Sequence, residues 1–160
     1  MVRSTAFIFS PFALLICFTW VSFAVQNEAV KLIVSKEILN EHIFAGKELS
    51  ILYTLYNFNA NRPARDVELF DTYPDEHFIM VHGSPSVRWP YIPASSNVTH
   101  AVVVIPRSYG AYNFTSAVIT YSSGASENPT HHYSSAPGQL PIYPIKEFNR
   151  RFASYTVSHL

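Results

Sequence analysis

Apolar and polar residues alternate with a period of two along most of the chain that follows residue 28. This alternation is typical of β-strands that place one face in a core and the other in water. The alternating runs are rich in β-branched and aromatic residues, and proline, glycine and asparagine separate them, as strands and turns require. The only helical candidate is the short segment 35–43. The sequence therefore predicts seven strands, at residues 29–36, 47–58, 64–71, 77–83, 86–92, 97–105 and 111–121.

Seven short strands within about a hundred residues predict an all-β fold, a single seven-stranded immunoglobulin-like β-sandwich without a disulfide. One parity of each strand fills the core of such a sandwich, and the other parity faces solvent. In the run 111–121, Tyr112 and Phe114 share the apolar parity, so we expect Asn113 between them to be exposed. The predicted core contains Tyr53, Leu55, Val67, Leu69, Trp89, Val102, Tyr112, Phe114 and Val118.

The first 24 residues have the features of a secretory signal peptide. Arg3 is the only charged residue before Glu28, and an apolar run lies between them. Ser22 and Ala24 are small and lie two positions apart, so signal peptidase is predicted to cleave after Ala24. An uncleaved membrane anchor is the alternative. The sole cysteine, Cys17, would leave with the peptide, and residues 25–160 could then form no disulfide.

Composition and motifs argue against several function classes. Without Arg3, the chain carries ten Lys and Arg against eleven Asp and Glu, and this balance predicts no nucleic-acid partner. The sequence contains no G-x-S-x-G, no H-E-x-x-H and no glycine-rich phosphate loop. We therefore predict no catalytic residues, no cofactor and no enzymatic activity.

Two groups of side chains are candidates for binding a metal ion. Asp71, Asp75 and Glu76 lie close together in the sequence, and turns rich in carboxylates can bind calcium. Their spacing matches no calcium loop, so a solvated turn is predicted. The pair His131–His132 is adjacent, and neighbouring residues of an extended segment point in opposite directions. A surface loop is therefore predicted there, and no metal site in the chain.

Two acceptor sequences for N-glycosylation follow the predicted signal peptide. They are Asn97-Val98-Thr99 and Asn113-Phe114-Thr115, whereas a proline blocks the third candidate, at Asn128. Glycosylation is therefore predicted at Asn97 and Asn113. Together with the signal peptide, these sites predict a glycoprotein of the endoplasmic reticulum lumen or beyond.

The last part of the chain differs from the predicted sandwich. Pro137, Pro141 and Pro144 favour a stiff, extended segment that does not form a sheet. The stretch 146–152 is basic and aromatic, and is interpreted either as a poorly ordered tail or as a juxtamembrane or partner-docking segment. The sequence thus predicts a signal peptide at 1–24, a lumenal β-sandwich at 25–133 and a Pro-rich, basic C-terminal segment at 134–160.

Three distinctive stretches occur in order along the chain: PASSNVTH (93–100), NFTSAVITY (113–121) and EFNRRF (147–152). With them, the chain resembles the beta subunit of the translocon-associated protein complex, also called the signal-sequence receptor beta subunit. The resemblance covers nearly all of residues 25–160. It extends to SKEILN (35–40), LYTLYN (52–57), DVELFD (66–71), VRWPYIPASSNVTHAVVV (87–104), GAYNFTSAVITY (110–121) and SSAPGQ (134–139).

The resemblance implies a non-enzymatic lumenal subunit of a heteromeric complex in the endoplasmic reticulum membrane. The implied partners are the other subunits of the complex, the protein-conducting channel and the ribosome complex. The implied function is assistance to signal-sequence-dependent protein translocation. The complex is also described as binding calcium at that membrane and as retaining resident proteins of the endoplasmic reticulum. Asn97 and Asn113 fall where the family has its glycans.

One stretch departs from the family pattern. Members of the family continue after EFNRRF into a transmembrane helix, whereas this chain has ASYTVSHL at 153–160. We therefore expect a truncated or alternative product, which associates with the membrane through its partners or through the missing helix. The alternative is a stand-alone secreted glycoprotein binding module of the β-sandwich type. Trp89, Tyr91 and Tyr109 would then line a sugar platform, but we expect Trp89 to be buried.

Overall fold

The computed structural model describes residues 29–123 and 128–152. The predicted signal peptide, its cleavage after Ala24 and the single cysteine Cys17 lie outside these residues. The described residues form eleven strands and one short helix. The strands are β1 (Leu32–Ile38), β2 (Ile43–Phe44), β3 (Leu49–Asn57), β4 (Ala64–Phe70), β5 (Phe78–His82), β6 (Ser86–Ile92), β7 (Asn97–Pro106), β8 (Gly110–Phe114), β9 (Val118–Ser122), β10 (Thr130–Tyr133) and β11 (Gly138–Tyr143), and the helix is α1 (Ile145–Phe152).

The strands form three sheets in the described part of the chain. The first sheet has the order β1-β3-β7-β5, the second β10-β9-β4-β6 and the third β2-β11-β8. Paired strands are antiparallel except for β2 and β11, which are parallel. One buried apolar cluster takes residues from all three sheets, among them Ile51, Leu69 and Phe114. This arrangement is consistent with the predicted all-β sandwich, although the described residues form more strands than the seven predicted.

Most of the predicted core lies inside. Tyr121 joins the sheets through its hydroxyl, which donates to the carbonyl of Val30 at 3.1 Å. Tyr112 and Val118 are half-buried rather than buried. The predicted core residues that the structure buries are Tyr53, Leu55, Val67, Leu69, Val102 and Phe114.

The prediction of one strand at 111–121 is wrong, because the run forms two strands in different sheets. Strand β8 pairs with β11, and β9 pairs with β4 and β10. Residues 115–117 lead from one sheet to the next, and the phase of the alternation changes there. Ile119 and Tyr121 therefore enter the core, and Val118 lies on the other side of its strand.

The prediction that the segment after residue 133 does not form a sheet is also wrong. Residues 138–143 form β11, and Ile142 is buried in the common core. Proline lacks a backbone N–H and is tolerated where a strand has a free side. Pro141 pairs with Ala111 of β8, whereas β2 reaches only Ile142 and Tyr143 on the opposite side. The proline therefore lies where β11 has one neighbour.

The helix lies where the sequence predicted none. The candidate at 35–43 contains the end of β1 and the start of β2, whereas the stretch after Pro144 forms α1. Glu147 is in the first turn of α1, and Arg150 and Arg151 are in the last turn, which matches the helix dipole. Arg150 also forms an ion pair with Glu147 at 2.8 Å. Its charge pattern thus stabilises this short helix.

A buried polar cluster lies between the sheets. Lys36 of β1 forms an ion pair with Asp71, with 2.6 Å between Nζ and Oδ2, and both side chains are 2% exposed. Tyr53 of β3 donates a short hydrogen bond to the same carboxylate, and the Tyr73 hydroxyl donates to it at 3.2 Å. Lys36 Nζ also donates to the carbonyl of Thr115 at 2.7 Å. The prediction of a solvated turn is therefore wrong for Asp71.

The cluster connects parts of the chain that are far apart in sequence. Lys36 and Tyr53 belong to the first sheet, Asp71 follows the last residue of β4 in the second, and Thr115 lies between β8 and β9. A buried charge without a partner costs several kcal/mol, so each member depends on the others. The ion pair therefore fixes how the sheets meet.

We predict that Lys36→Met lowers the free energy of unfolding by about 3–5 kcal/mol, because it leaves the carboxylate of Asp71 buried without its cation. The control is Arg88→Ala, since Arg88 pairs with Asp66 at 3.2 Å with both side chains 65% exposed. An exposed pair contributes below about 1 kcal/mol. Urea unfolding of both variants checks this, and equal losses would contradict it.

We also predict that stability declines above about pH 10, because burial raises the pKa of Tyr53 and Tyr73 well above the ordinary tyrosine value. The folded state keeps these protons, whereas the unfolded chain loses them near pH 10, so this stabilisation is complete below about pH 10 and declines above it. For Tyr53 the slope is about 1.4 kcal/mol per pH unit.

Urea unfolding between pH 9 and 12 measures this slope. Tyr53→Phe should make it shallower. Tyr91→Phe should leave it unchanged, because Tyr91 is 58% exposed. A slope that is the same in all three proteins would refute the assignment.

Candidate interaction surface

The two predicted acceptor asparagines lie on different sheets. Asn97 is the first residue of β7 in the first sheet, and Asn113 lies within β8 in the third. Both are exposed, as predicted for Asn113. In the strand registers, Asn97 lies opposite Tyr56, and Asn113 lies opposite Gln139. Their glycosylation stays a prediction.

The three aromatic residues of the alternative sugar platform do not form a row. Trp89 packs against the core with its ring 6.3 Å from that of His100, but it is half-buried rather than buried as predicted. Tyr91 is exposed and pairs with Arg65, whereas the next residue, Ile92, is buried. Tyr109 lies in the connection between β7 and β8.

An irregularity in β4 separates Trp89 from Tyr91. The register of β4 on β9 shifts between Arg65 and Glu68, and Asp66 has φ +49°. Such bulges reverse which residues of a strand face the core. Ala64 and Val67 of β4 are both buried, so the inward parity changes across Asp66. Their partners on β6, Ile92 and Trp89, face inward with them, and Tyr91 between them faces solvent.

The candidate metal ligands are spread apart. Asp71 is buried, whereas Asp75 and Glu76 are exposed. His131 and His132 lie on β10 rather than in a loop, with His131 exposed and His132 half-buried. Within residues 29–123 and 128–152, no three His, Cys, Asp or Glu side chains converge to hold a metal ion.

The outer face of the first sheet is free of charge along its two central strands. The directly opposed outward pairs are Ser50 with Val103, Leu52 with Ala101, Thr54 with Thr99, and Tyr56 with Asn97. We call these eight residues the uncharged face. On the edge strands, Ile33 and Ile79 extend it and are 46% and 42% exposed. The exposed Glu37 of β1 lies opposite Leu52 and limits the face on that side.

The outer face of the second sheet has the opposite character at its centre. Glu68 of β4 lies opposite Arg88 of β6, and Arg65 and Asp66 are exposed nearby. Protein interfaces are depleted of charged residues at their core, and apolar patches left exposed mark contact sites. The uncharged face is therefore the better candidate for contact with another protein.

Helix α1 is held against the third sheet by aromatic rings. The ring of Phe148 lies 5.3 Å from that of Phe44 of β2, and the Lys47 ammonium lies 4.4 Å from the centre of the Phe148 ring. Arg151 similarly lies over Tyr143, at 5.7 Å. Cations over aromatic faces contribute about 0.5–1 kcal/mol at exposed sites. The basic, aromatic stretch is thus an ordered part of the described surface.

A pocket of about 600 Å³ lies beside α1. Arg107 is positioned there by its Nε, which donates to the carbonyl of Asp75 at 2.6 Å. Lys146 adds a second cation to walls that are otherwise largely apolar. The lining residues are Ala45, Gly46, Arg107, Ser108, Tyr109, Pro144, Ile145 and Lys146.

Comparison with known families identifies the chain. A sequence model of the family translocon-associated protein beta (TRAPB) matches residues 12–159. The chain belongs to this family. The resemblance inferred from its motifs is therefore confirmed.

Two curated members of the family are similar to the chain. The translocon-associated protein subunit beta of Caenorhabditis elegans is 35% identical over 150 residues, which are 91% of this chain and 78% of that protein. The subunit beta of Dictyostelium discoideum is 32% identical over 103 residues, which are 64% of this chain and 55% of that protein.

Among the helices of the described residues, none has the length and apolar character needed to cross a bilayer.

Two features of this family member were missed in the sequence. Lys36 follows Leu32 and Val34 on the inward parity of β1, and a lysine in that position indicates a buried partner. The outward residues of β3 and β7 contain no Asp, Glu, Lys or Arg, which is visible once the strand phases are known. Both signals depend on knowing which parity faces the core.

We predict that Phe148→Ala loosens α1 and speeds tryptic cleavage after Arg150 and Arg151, because the Phe148 ring packs against Phe44 and lies under the Lys47 ammonium. Asn149→Ala is the control, since Asn149 is exposed on the same helix. Limited proteolysis followed by mass spectrometry measures the rates. Equal cleavage of the two variants would show that the ring does not hold the helix.

Proposed function

We propose that this chain is a non-enzymatic lumenal subunit of the translocon-associated protein complex at the endoplasmic reticulum membrane. Its immunoglobulin-like sandwich would bind the other subunits beside the protein-conducting channel and the ribosome complex, and so assist signal-sequence-dependent translocation. Membership of the family supports this proposal, as do the names of the two curated relatives. The predicted signal peptide and acceptor asparagines agree with a lumenal location.

The observation that carries the binding role is the uncharged face. Its residues lie on β3 and β7, the two central strands of the first sheet. The edge strands β1 and β5 pair with them on either side. A flat, rigid sheet face loses little conformational entropy when it binds, and each Å² of apolar area removed from water contributes about 25 cal/mol. We therefore assign the main subunit contact to this face.

The position of Asn97 limits where the contact lies. A glycan on Asn97 would occupy the end of the face next to Tyr56 and keep a partner away from it. Val103 lies six residues along β7, about 20 Å from Asn97. The centre of the contact is therefore at Leu52, Ala101 and Val103, with Ile79 at one rim and Glu37 at the other.

No calcium ligand is assigned to the described residues. Asp75 and Glu76 are exposed in a turn, and the third carboxylate of that stretch, Asp71, already neutralises Lys36. If the complex binds calcium, we expect its ligands to lie outside this turn.

We predict that Ala101→Glu reduces recovery of the other subunits more than about tenfold, because it places an unpaired carboxylate at the centre of an apolar contact. Ala101 is exposed, so the domain should still fold. The measurement is affinity purification of the tagged full chain from detergent-solubilised microsomes, followed by quantitative mass spectrometry.

The matched control is Ser122→Glu, which adds the same carboxylate to the outer side of β9 opposite Arg65 in the second sheet. It should recover the subunits as the parent does. Equal recovery with both variants would show that another surface makes the subunit contact. A folded parent chain that recovers no subunit and collects in the medium would instead favour the stand-alone secreted module.

A further inference from the structure

A small pocket surrounds the first acceptor asparagine. Asn97 lies directly opposite Tyr56 in the first sheet, and both side chains are exposed on the outer face. Phe58 follows Tyr56 by two residues, with the two ring centres 6.0 Å apart. The pocket has a volume of about 290 Å³, and its walls are Tyr56, Asn57, Phe58, Ser95, Ser96 and Asn97.

The backbone of this pocket is fixed by Asn57. Its side chain is 2% exposed, and its Nδ2 donates to the carbonyls of Arg62, Ile92 and Pro93 at 2.9, 3.2 and 3.0 Å. Its backbone N–H donates to the carbonyl of Ser96 at 2.8 Å. The two loops that form the walls are thus joined, and the pocket is formed before any ligand enters.

The apolar wall of the pocket is unusually open. Phe58 is 66% exposed, and no polar group on its side chain compensates for contact with water. A sugar ring presents a face of C–H groups, and N-acetylglucosamine adds an apolar methyl group. Both can cover an aromatic ring and remove its surface from water. The chemistry of the wall therefore suits an N-acetylated sugar.

The geometry points to the occupant. We propose that the N-glycan attached to Asn97 folds back, so that its first N-acetylglucosamine packs on the rings of Phe58 and Tyr56. The glycan starts within the pocket, because Asn97 itself forms part of the wall. The inference rests on the proposed function, since the acceptor must enter the endoplasmic reticulum lumen to be modified.

The strand neighbours of the second acceptor, among the residues that the structure describes, form no aromatic wall. Asn113 lies opposite Gln139, and Ala111 and Pro141 are its exposed neighbours on the same side of the sheet. Residues 112 and 114 point the other way, toward the core. A glycan on Asn113 therefore extends into solvent and provides an internal control.

The test is a double-mutant cycle between the glycan and the ring. The tagged full chain is produced in eukaryotic cells that make only high-mannose glycans, and endoglycosidase H then leaves one N-acetylglucosamine at each occupied site. Intact mass and peptide mapping give the occupancy. Urea unfolding is measured for the parent, Asn97→Gln, Phe58→Ala and the double variant, and again with Asn113→Gln in place of Asn97→Gln.

Asn97→Gln should raise the unfolding equilibrium constant about fivefold when Phe58 is present, and change it little in the Phe58→Ala background. Asn113→Gln should show no such dependence on Phe58. In NMR spectra, the acetyl methyl signal of the sugar at Asn97 should move upfield through the ring current of Phe58. This readout holds even if Phe58→Ala fails to fold.

The failures can be told apart. If neither asparagine carries a glycan, both the lumenal location and the inference are overturned. If only Asn113 is modified, the inference falls and the lumenal location stands. If Asn97 is modified but the cycle shows no coupling and the acetyl methyl signal is unshifted, the packing on Phe58 is wrong and the proposed function is unaffected.

Discussion

The buried ion pair between Lys36 and Asp71 is the interaction on which the arrangement of the sheets depends. An apolar interior can be repacked with small losses, but a buried charge needs its partner in one position. The hydroxyl of Tyr53 and the carbonyl of Thr115 complete the hydrogen bonds of this pair. The domain has no disulfide within its described residues, and this cluster supplies a specific link between distant parts of the chain. It thereby holds the first sheet as a rigid platform.

That rigidity suits the first sheet to bind another protein. The two central strands of the first sheet turn only uncharged side chains outward, whereas the second sheet carries Glu68 opposite Arg88 at its centre. Leu52 and Val103 are half-buried on this face, and the part of their side chains that still meets water adds nothing to the stability of the domain. Their position on a fixed central surface is understandable if another protein covers them, and family membership names the complex in which such a partner is expected.

The sequence predicted the class of the fold and several elements well. The run at 86–92 has the same bounds as β6, because Gly83 and Pro85 mark the turn before it and Pro93 marks the turn after it. Prediction failed where tertiary contacts override local pattern. The run 111–121 changes sheet without a glycine or proline, and the bulge at Asp66 reverses the facing of Tyr91. The uncharged face was missed for the same reason, since it can be recognised only when strand order and parity are known.

Photo-crosslinking in intact microsomes would show whether the uncharged face contacts other subunits. A short crosslinking amino acid is introduced in place of Ala101 on the uncharged face, or in place of Ser122 on the second sheet. We expect crosslinks from position 101 to other subunits of the translocon-associated complex, and few from position 122. Crosslinks to those subunits from position 122 alone would contradict it, because the charged sheet would then be the contact surface.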